Sequence, residues 1–232
     1  MKNLVFIPYN YNTLGLKNKI LLCICYTSFM SEQIKSNPDI EIAISKIAEV
    51  MKESHRPILV ALDGRSGTGK STVAKQIAER LGGVEIIADD FWVGGSNDEW
   101  DKKSPKEKAE TAIDWKRIRT EVLQPLLSGK PATWHPFDWK AGHGLSQKAL
   151  HSEPKPLIVL DGAYSTRPEL QDIIDFSILV EVPNDANRRG RLVVREGEEY
   201  MKDWHSRWDV AEDYYFTEVR PRESFDLIIA NH

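Results

Sequence analysis

The chain has 232 residues and a formal net charge of -4, from 31 Lys and Arg against 35 Asp and Glu. Hydrophobic residues make up 41% and charged residues 28%, which is typical of a globular protein and excludes a disordered or fibrous chain. A mildly acidic chain has no overall field that would hold DNA or RNA, so no nucleic-acid partner is expected. The two cysteines, Cys23 and Cys25, are too close for an ordinary disulfide and too few for a zinc site, which favours a reducing, cytoplasmic location.

The first 29 residues differ in composition from the rest of the chain, because they contain lysines but no acidic residue. Residues 20–25 (ILLCIC) form an apolar run that is far too short to span a membrane, so no membrane association is expected. A signal peptide is one interpretation, but no clear small-x-small cleavage site is present. We expect residues 1–29 to be a weakly structured extension, with Met30 as an alternative start of the protein.

Helix and strand patterns alternate after this extension. Apolar residues recur at helical spacing between Ile40 and Met51, with Asn37 or Asp39 as the cap, so an N-terminal helix is predicted within residues 30–56. Continuous apolar runs predict buried strands over 58–62, 84–88, 157–160, 176–182 and 225–230. Helical periodicity predicts helices over 71–81 and 115–127 and two charged helices within 184–220.

This alternation predicts one domain over residues 57–232, with an α/β fold in which helices cover both faces of a parallel sheet. Right-handed crossovers would place the carboxyl ends of the strands, and the loops that follow them, on one edge of the sheet. Residues 93–112 are polar and charged and are predicted to be an exposed loop.

The strongest motif is GRSGTGKS at residues 64–71, which matches the phosphate-binding pattern G-x-x-x-x-G-K-[ST] between a predicted strand and a predicted helix. Glycines let backbone N–H groups point at phosphate oxygens, and the helix dipole attracts the same anion. Lys70 is expected to reach the β- and γ-phosphates, and the Ser71 hydroxyl to bind Mg²⁺. The predicted nucleotide-binding residues are Gly64, Arg65, Ser66, Gly67, Thr68, Gly69, Lys70, Ser71 and Thr72.

The motif alone leaves the reaction open. A GTPase needs an N-K-x-D segment after the loop and a transporter ATPase needs L-S-G-G-Q, and the sequence has neither. It instead carries IIADDFW, in which the second predicted strand ends at Asp89 and Asp90 before Phe91. Together with the phosphate loop, this segment resembles the uridine kinase family and its pantothenate kinase and phosphoribulokinase relatives, over residues 57–230.

The resemblance implies a P-loop NTPase-type fold with a lid helix, and ATP-dependent phosphoryl transfer with Mg²⁺. It places the family's catalytic aspartate at Asp89, with Asp90 as the alternative one position later. A carboxylate beside the γ-phosphate can accept the proton of an acceptor hydroxyl and can hold a water of the metal. The alternative is a loop carboxylate that caps a helix or pairs with a basic residue.

Two further segments match the resemblance. The segment LIVLDG is a hydrophobic strand that ends in Asp161, a pattern whose acid commonly binds Mg²⁺, although Asp-Gly turns are also common by chance. A cluster of arginines follows the fourth strand, where these families have a lid helix: Arg188, Arg189, Arg191 and Arg195. We expect Arg191 and Arg195 to stabilise the transferred phosphoryl group, and the alternative is a solvated, charged helix face.

The acceptor side is predicted from the segment WHPFDW and from His143, which lie where uridine kinases have a Tyr-Asp-Phe-like segment. Phe137, Asp138 and Trp139 match that segment loosely, and Phe in place of Tyr removes a hydroxyl. Asp114 lies near the position of the family's sugar-binding aspartate. Flat aromatic rings suit a planar acceptor, but a β-hairpin whose rings only pack on the core is the alternative. All seven tryptophans follow position 90.

The main hypothesis is a kinase that transfers the γ-phosphate of ATP to a hydroxyl of a small molecule. By resemblance a nucleoside is the leading acceptor, and pantothenate or another small alcohol is next. A hypothesis of another class is a non-catalytic, nucleotide-binding regulatory ATPase module. The presence of Lys70, Ser71 and Asp89 favours the kinase, since a mere binder has no need of all three. Formation of a homo-oligomer stays open.

Overall fold

The computed structural model describes residues 37–231, so the expectations for residues 1–29 and for a start at Met30 lie outside the described residues. Its centre is a five-stranded sheet in the order β2-β5-β1-β6-β7, and all neighbouring strands pair in parallel. The strands are β1 (Ile58–Asp63), β2 (Val84–Ile87), β5 (Leu157–Asp161), β6 (Phe176–Glu181) and β7 (Leu227–Ala230). This architecture confirms the predicted α/β class. A separate antiparallel hairpin consists of β3 (Ala132–Trp134) and β4 (Leu150–Ser152).

The regular helices are α1 (Pro38–Glu53), α2 (Lys70–Leu81), α3 (Asn97–Asp101), α4 (Pro105–Thr111) and α6 (Asp185–Glu196). Helix α5 spans residues 115–127 and contains a π-helical segment at Ile118–Leu123. Helix α7 spans residues 198–219 and contains π-helical segments at His205–Asp209 and Tyr215–Val219. None of the helices within residues 37–231 is long and apolar enough to cross a membrane.

Strand β1 is buried along its whole length, because the sheet is covered on both faces. On one face Ile58, Val60 and Leu62 pack with the apolar residues of α1 and α2. On the other face Leu59 and Ala61 pack with residues of α5 and of the segment after β2. Alternate residues of a strand point to opposite faces, so a continuous apolar run is needed when both faces are covered. The helices on both faces confirm the predicted layer arrangement.

The prediction of an exposed loop over residues 93–112 is wrong. The segment forms α3 and α4, and each begins with a capping box, Ser96 with Glu99 and Ser104 with Glu107. Trp100 is almost fully buried in the core and its indole N–H donates to the Gly94 carbonyl at 3.0 Å. The segment appears polar in sequence because two very short helices bury few residues each, which is too few to produce a visible helical period.

A buried carboxylate ties the carboxyl edge of the sheet together. Asp63 ends β1 immediately before the phosphate loop and is fully buried. Its oxygens accept hydrogen bonds from the N–H of Gly64 at 2.8 Å, Tyr164 at 2.9 Å and Thr166 at 3.0 Å. They also accept from the Thr166 hydroxyl at 2.7 Å and the Tyr215 hydroxyl at 2.9 Å. The carboxylate therefore joins β1, the segment after β5 and α7.

We expect Tyr215→Phe to lower the free energy of unfolding by about 1.5 to 3 kcal/mol, because it removes one donor from a buried carboxylate. Urea denaturation followed by circular dichroism measures the change. Tyr214→Phe on the same helix is the matched control, since its hydroxyl does not bind Asp63. Equal stability of the two variants would contradict a role of this network in stability.

Candidate active site

The phosphate loop occurs as predicted between β1 and α2, and two of its glycines are required by their surroundings. Gly69 caps α2 with a φ of 85°, and a Cβ there would lie 2.3 Å from the Asn231 side-chain nitrogen. That nitrogen donates to the Thr68 carbonyl at 2.7 Å, so the loop is attached to the residue that follows β7. A Cβ at Gly64 would lie 2.3 Å from the Val180 carbonyl oxygen of β6. The loop thus packs closely against β6 and Asn231, and these contacts require its curved backbone.

The first turn of α2 is open to an anion. Its cap, Gly69, supplies no side-chain hydrogen bond, so the first N–H groups of this 12-residue helix have no side-chain acceptor from the cap. Lys70 and Ser71 lie in this turn, where the helix dipole is positive. This geometry fits a bound phosphate group.

Asp161, the last residue of β5, lies next to this turn. It is 2% exposed; burial raises the pKa of its carboxyl, while the Lys70 charge and the Ser71 hydroxyl act in the opposite direction. Its Oδ1 atom is buried and accepts no hydrogen bond within residues 37–231. Such an oxygen fits a magnesium site, because Mg²⁺ takes one or two carboxylates and keeps several waters. The part of the chain that the structure describes has no cluster of three or more His, Cys, Asp or Glu side chains that could hold a metal ion by themselves.

A close approach of two strand ends brings Asp161 near the end of β2. Gly162 follows Asp161, and a Cβ at Gly162 would lie 2.4 Å from the Cβ of Ala88. Ala88 begins the 3₁₀ turn at Ala88–Phe91 that carries Asp89. The Asp89 charge acts on the Asp161 carboxyl and raises its pKa, although less than burial does. Only glycine permits this contact, which places the two carboxylates on one side of the phosphate loop.

Asp89 and Asp90 point in different directions. Asp89 is exposed and lines the large cavity beside the phosphate loop. The Asp90 carboxylate instead accepts a hydrogen bond from the Trp134 indole at 3.1 Å, and its carbonyl accepts from the Phe137 N–H at 2.6 Å. Burial raises the pKa of Asp90, the Trp134 bond lowers it and the Asp89 charge raises it. Asp89 faces the site, whereas Asp90 connects β2 to the hairpin.

The cavity beside Asp89 has a volume of about 330 Å³, which suits a small molecule. Ser66 of the phosphate loop contributes to its lining, so the cavity opens onto the phosphate site. Five of the seven tryptophans line it: Trp92, Trp100, Trp139, Trp204 and Trp208. The rings of Trp92 and Trp139 are 6.2 Å apart and inclined by only 26°, and Trp139 is 60% exposed. The cavity therefore offers flat apolar surfaces together with carboxylates.

The predicted acceptor residues divide into two groups. Phe137 and Trp139 line the cavity and pack edge to face at 4.9 Å. Asp138 instead accepts hydrogen bonds from two backbone N–H groups of its own turn, both at 3.0 Å. Asp114 caps helix α5 through the Arg117 N–H at 3.2 Å. These two and the exposed His143 are not among the residues that line the cavity.

The arginines of α6 have three different environments. Arg188 is buried, and its guanidinium donates to Asp185, to Asp209 and to the Ser66 carbonyl of the phosphate loop. Arg191 lies over the loop, with its Nη1 atom 3.4 Å from the Thr68 carbonyl oxygen. Arg195 lines the cavity that contains Asp89. Arg188 thus connects helix α6 to the phosphate loop, whereas Arg191 lies over the loop and Arg195 lies beside the cavity.

Two residues of the site carried no signal in the sequence. Glu212 of α7 is 2% exposed and accepts hydrogen bonds from the Ser66 N–H at 2.9 Å and hydroxyl at 2.6 Å. Burial raises the pKa of Glu212, and the Ser66 bonds and the charges of Lys70 and Arg188 act against that shift. Tyr164 lines the same cavity after β5, with a backbone φ of 67°. Glu212 lies 146 residues from Ser66, so no local pattern predicts their contact.

The chain is similar to curated uridine kinases. It is 29% identical to the uridine kinase of Lactobacillus johnsonii over 146 residues, which cover 60% of this chain and 68% of that protein. It is 28% identical to the uridine kinase of Macrococcus caseolyticus over 171 residues, which cover 70% of this chain and 78% of that protein. No family model matches the sequence.

Solved structures share the fold. A possible uridine kinase from Bacillus stearothermophilus superposes with a TM-score of 0.63 at 18% identity, over 83% of this chain and 97% of that one. A D-glycerate 3-kinase from Cryptococcus neoformans superposes with a TM-score of 0.51 at 10% identity, over 75% and 85% of the two chains. Together with the curated relatives, these likenesses confirm the resemblance to uridine kinase-like P-loop proteins and support a small-molecule kinase.

We expect Lys70→Ala to weaken the binding of Mg²⁺-ATP at least about tenfold, since it would remove the charge that is predicted to contact the phosphates. Isothermal titration calorimetry measures the dissociation constant. Lys75→Ala is the control, because the Lys75 side chain is 67% exposed one turn further along the same helix. An unchanged affinity in Lys70→Ala would rule out the phosphate-binding role of the loop.

Proposed function

We propose that this protein is an ATP-dependent kinase that transfers the γ-phosphate to a hydroxyl of a small molecule, most favourably a nucleoside. The observation that carries the proposal is that the phosphate loop and the cavity containing Asp89 adjoin each other. Ser66 of the phosphate loop and the exposed Asp89 line one cavity, so an acceptor bound there lies beside the phosphate site. A regulatory module that only binds nucleotide has no use for a carboxylate in such a cavity, which makes the kinase the better supported function.

The nucleoside is favoured by the cavity walls and by the names of the curated relatives. The nearly parallel rings of Trp92 and Trp139 suit a planar base, which gains dispersion energy by stacking on an indole face. Phe137 adds an edge to this surface. The similar proteins from Lactobacillus johnsonii and Macrococcus caseolyticus are both uridine kinases. We keep Phe137 and Trp139 as acceptor-binding residues and propose no contact for the other predicted acceptor side chains.

The side chains of the site account for the transfer step. Asp89 accepts the proton of the acceptor hydroxyl. The oxygen of that hydroxyl forms a bond to the γ-phosphorus, while the bond between the γ-phosphorus and the bridging β-phosphate oxygen breaks and ADP leaves. Lys70, Arg191 and Arg195 stabilise the negative charge that spreads over the phosphoryl oxygens. Ser71, Asp161 and Asp89 would hold Mg²⁺, and the bound ion would supply neutralisation of the phosphate charge.

We expect Asp89→Asn to lower kcat by about 10² to 10⁴-fold and to leave the affinity for ATP nearly unchanged, because the amide cannot accept the acceptor's proton. Steady-state production of ADP with a nucleoside as acceptor gives kcat, and calorimetry gives the affinity. Asp90→Asn is the comparison, since Asp90 faces Trp134 and not the cavity. If Asp90→Asn were the inactive variant, the catalytic assignment would move to Asp90.

The class of the protein is tested by acceptor dependence. ADP production is measured with wild-type protein alone and with uridine, cytidine, pantothenate and D-glycerate in turn. A nucleoside that stimulates ADP production supports the proposal, and the product is identified by mass spectrometry. Binding of ATP without stimulation by any acceptor in a broad panel would favour the regulatory module instead.

A further inference from the structure

Glu212 is a buried carboxylate of helix α7 that contacts the phosphate loop, and the proposed reaction does not use it. Its Oε1 atom accepts hydrogen bonds from the Ser66 N–H and hydroxyl, at 2.9 and 2.6 Å. Both residues line the cavity that contains Asp89. One oxygen of Glu212 therefore accepts two hydrogen bonds from the loop, and the side chain also lines the cavity.

The second oxygen, Oε2, has no hydrogen-bond donor among the described residues although it is buried. The Arg188 Nη1 atom is 3.8 Å away, beyond hydrogen-bonding distance. That guanidinium donates to Asp185 at 2.6 Å, to the Ser66 carbonyl at 3.1 Å and to Asp209 at 3.1 Å. Buried polar atoms of folded proteins nearly always have a partner. The Glu212 side chain lines the cavity, so a small rotation of its carboxyl group would bring Oε2 into contact with a donor on a molecule bound there.

The remaining lining limits what that molecule is. Trp92 and Trp139 provide flat apolar surface, whereas Asp89 and Glu212 place two carboxyl groups at the same cavity. An acceptor with its own carboxylate would be repelled by the ionised forms of both groups. Arg195 is the cationic side chain among the lining residues of this cavity. The lining suits a neutral, ring-bearing alcohol that carries an additional N–H or O–H donor.

We propose that Glu212 determines acceptor specificity, with Oε2 accepting a hydrogen bond from an N–H or O–H group of a neutral acceptor while Oε1 holds Ser66. This inference rests on the proposed kinase function. It goes beyond that function in assigning acceptor selection to a residue of helix α7 that also contacts the phosphate loop.

The test is Glu212→Gln, which keeps one oxygen for Ser66 and turns an NH₂ group toward the acceptor's donor. We expect the KM for the best of uridine, cytidine and adenosine to rise about tenfold to a hundredfold, the range for loss of a hydrogen bond to a charged group. The KM for ATP is expected to change less than about twofold. Glu212→Asp retains the charge and is expected to rescue part of the loss. Glu218→Gln on the exposed side of the same helix is the matched control.

Three results would overturn the assignment. One is an unchanged acceptor KM in Glu212→Gln. Another is a parallel rise of the KM values for ATP and acceptor together with a lower melting temperature, which indicates a structural role only. The third is a wild-type preference for the anionic acceptors pantothenate or D-glycerate, which would leave the kinase function intact. If wild-type protein binds ATP and phosphorylates no acceptor, the proposed function itself fails and the assignment of Glu212 fails with it.

Discussion

The buried carboxylate of Asp63 is the interaction on which the geometry of the site depends. A charged group without water must be surrounded by donors, and here five neutral donors point at the two oxygens. They come from the start of the phosphate loop, from Tyr164 and Thr166 after β5, and from Tyr215 of helix α7. Displacement of any of these donors leaves part of the charge unpaired. The loop, the end of β5 and helix α7 are therefore held in one fixed relation.

The parallel sheet then determines which groups meet. The carboxyl ends of β1, β2 and β5 lie side by side on one edge, so the residues that follow them share one site. The contact of Gly162 with Ala88 reduces the separation further and brings the Asp161 and Asp89 carboxyl groups within electrostatic range. Two carboxylates so placed, beside Lys70 and the open turn of α2, have the composition needed to bind a magnesium ion and a phosphate group.

Helices α6 and α7 complete the site through contacts of buried charged side chains with each other and with the phosphate loop. Arg188 and Glu212 are both buried, and each contacts Ser66, one at its carbonyl and the other at its N–H and hydroxyl. Buried charges of this kind specify geometry because a displaced partner leaves an uncompensated charge. Arg188 was one of four arginines with similar sequence surroundings, and its buried hydrogen bonds to Asp185, Asp209 and Ser66 distinguish it from Arg191 and Arg195.

The sequence by itself determined the α/β class, the positions of the strands, and the phosphate loop with Lys70 and Ser71. It also reduced the candidates for the catalytic aspartate to Asp89 and Asp90. These features follow from local patterns, because strand burial and loop curvature depend on residues that are neighbours in the chain. Tertiary structure alone decided which aspartate faces the cavity, that residues 93–112 fold as capped helices around Trp100, and that Glu212 reaches Ser66. Each depends on contacts between distant segments, whose free energy comes from packing and burial that no local window of sequence contains.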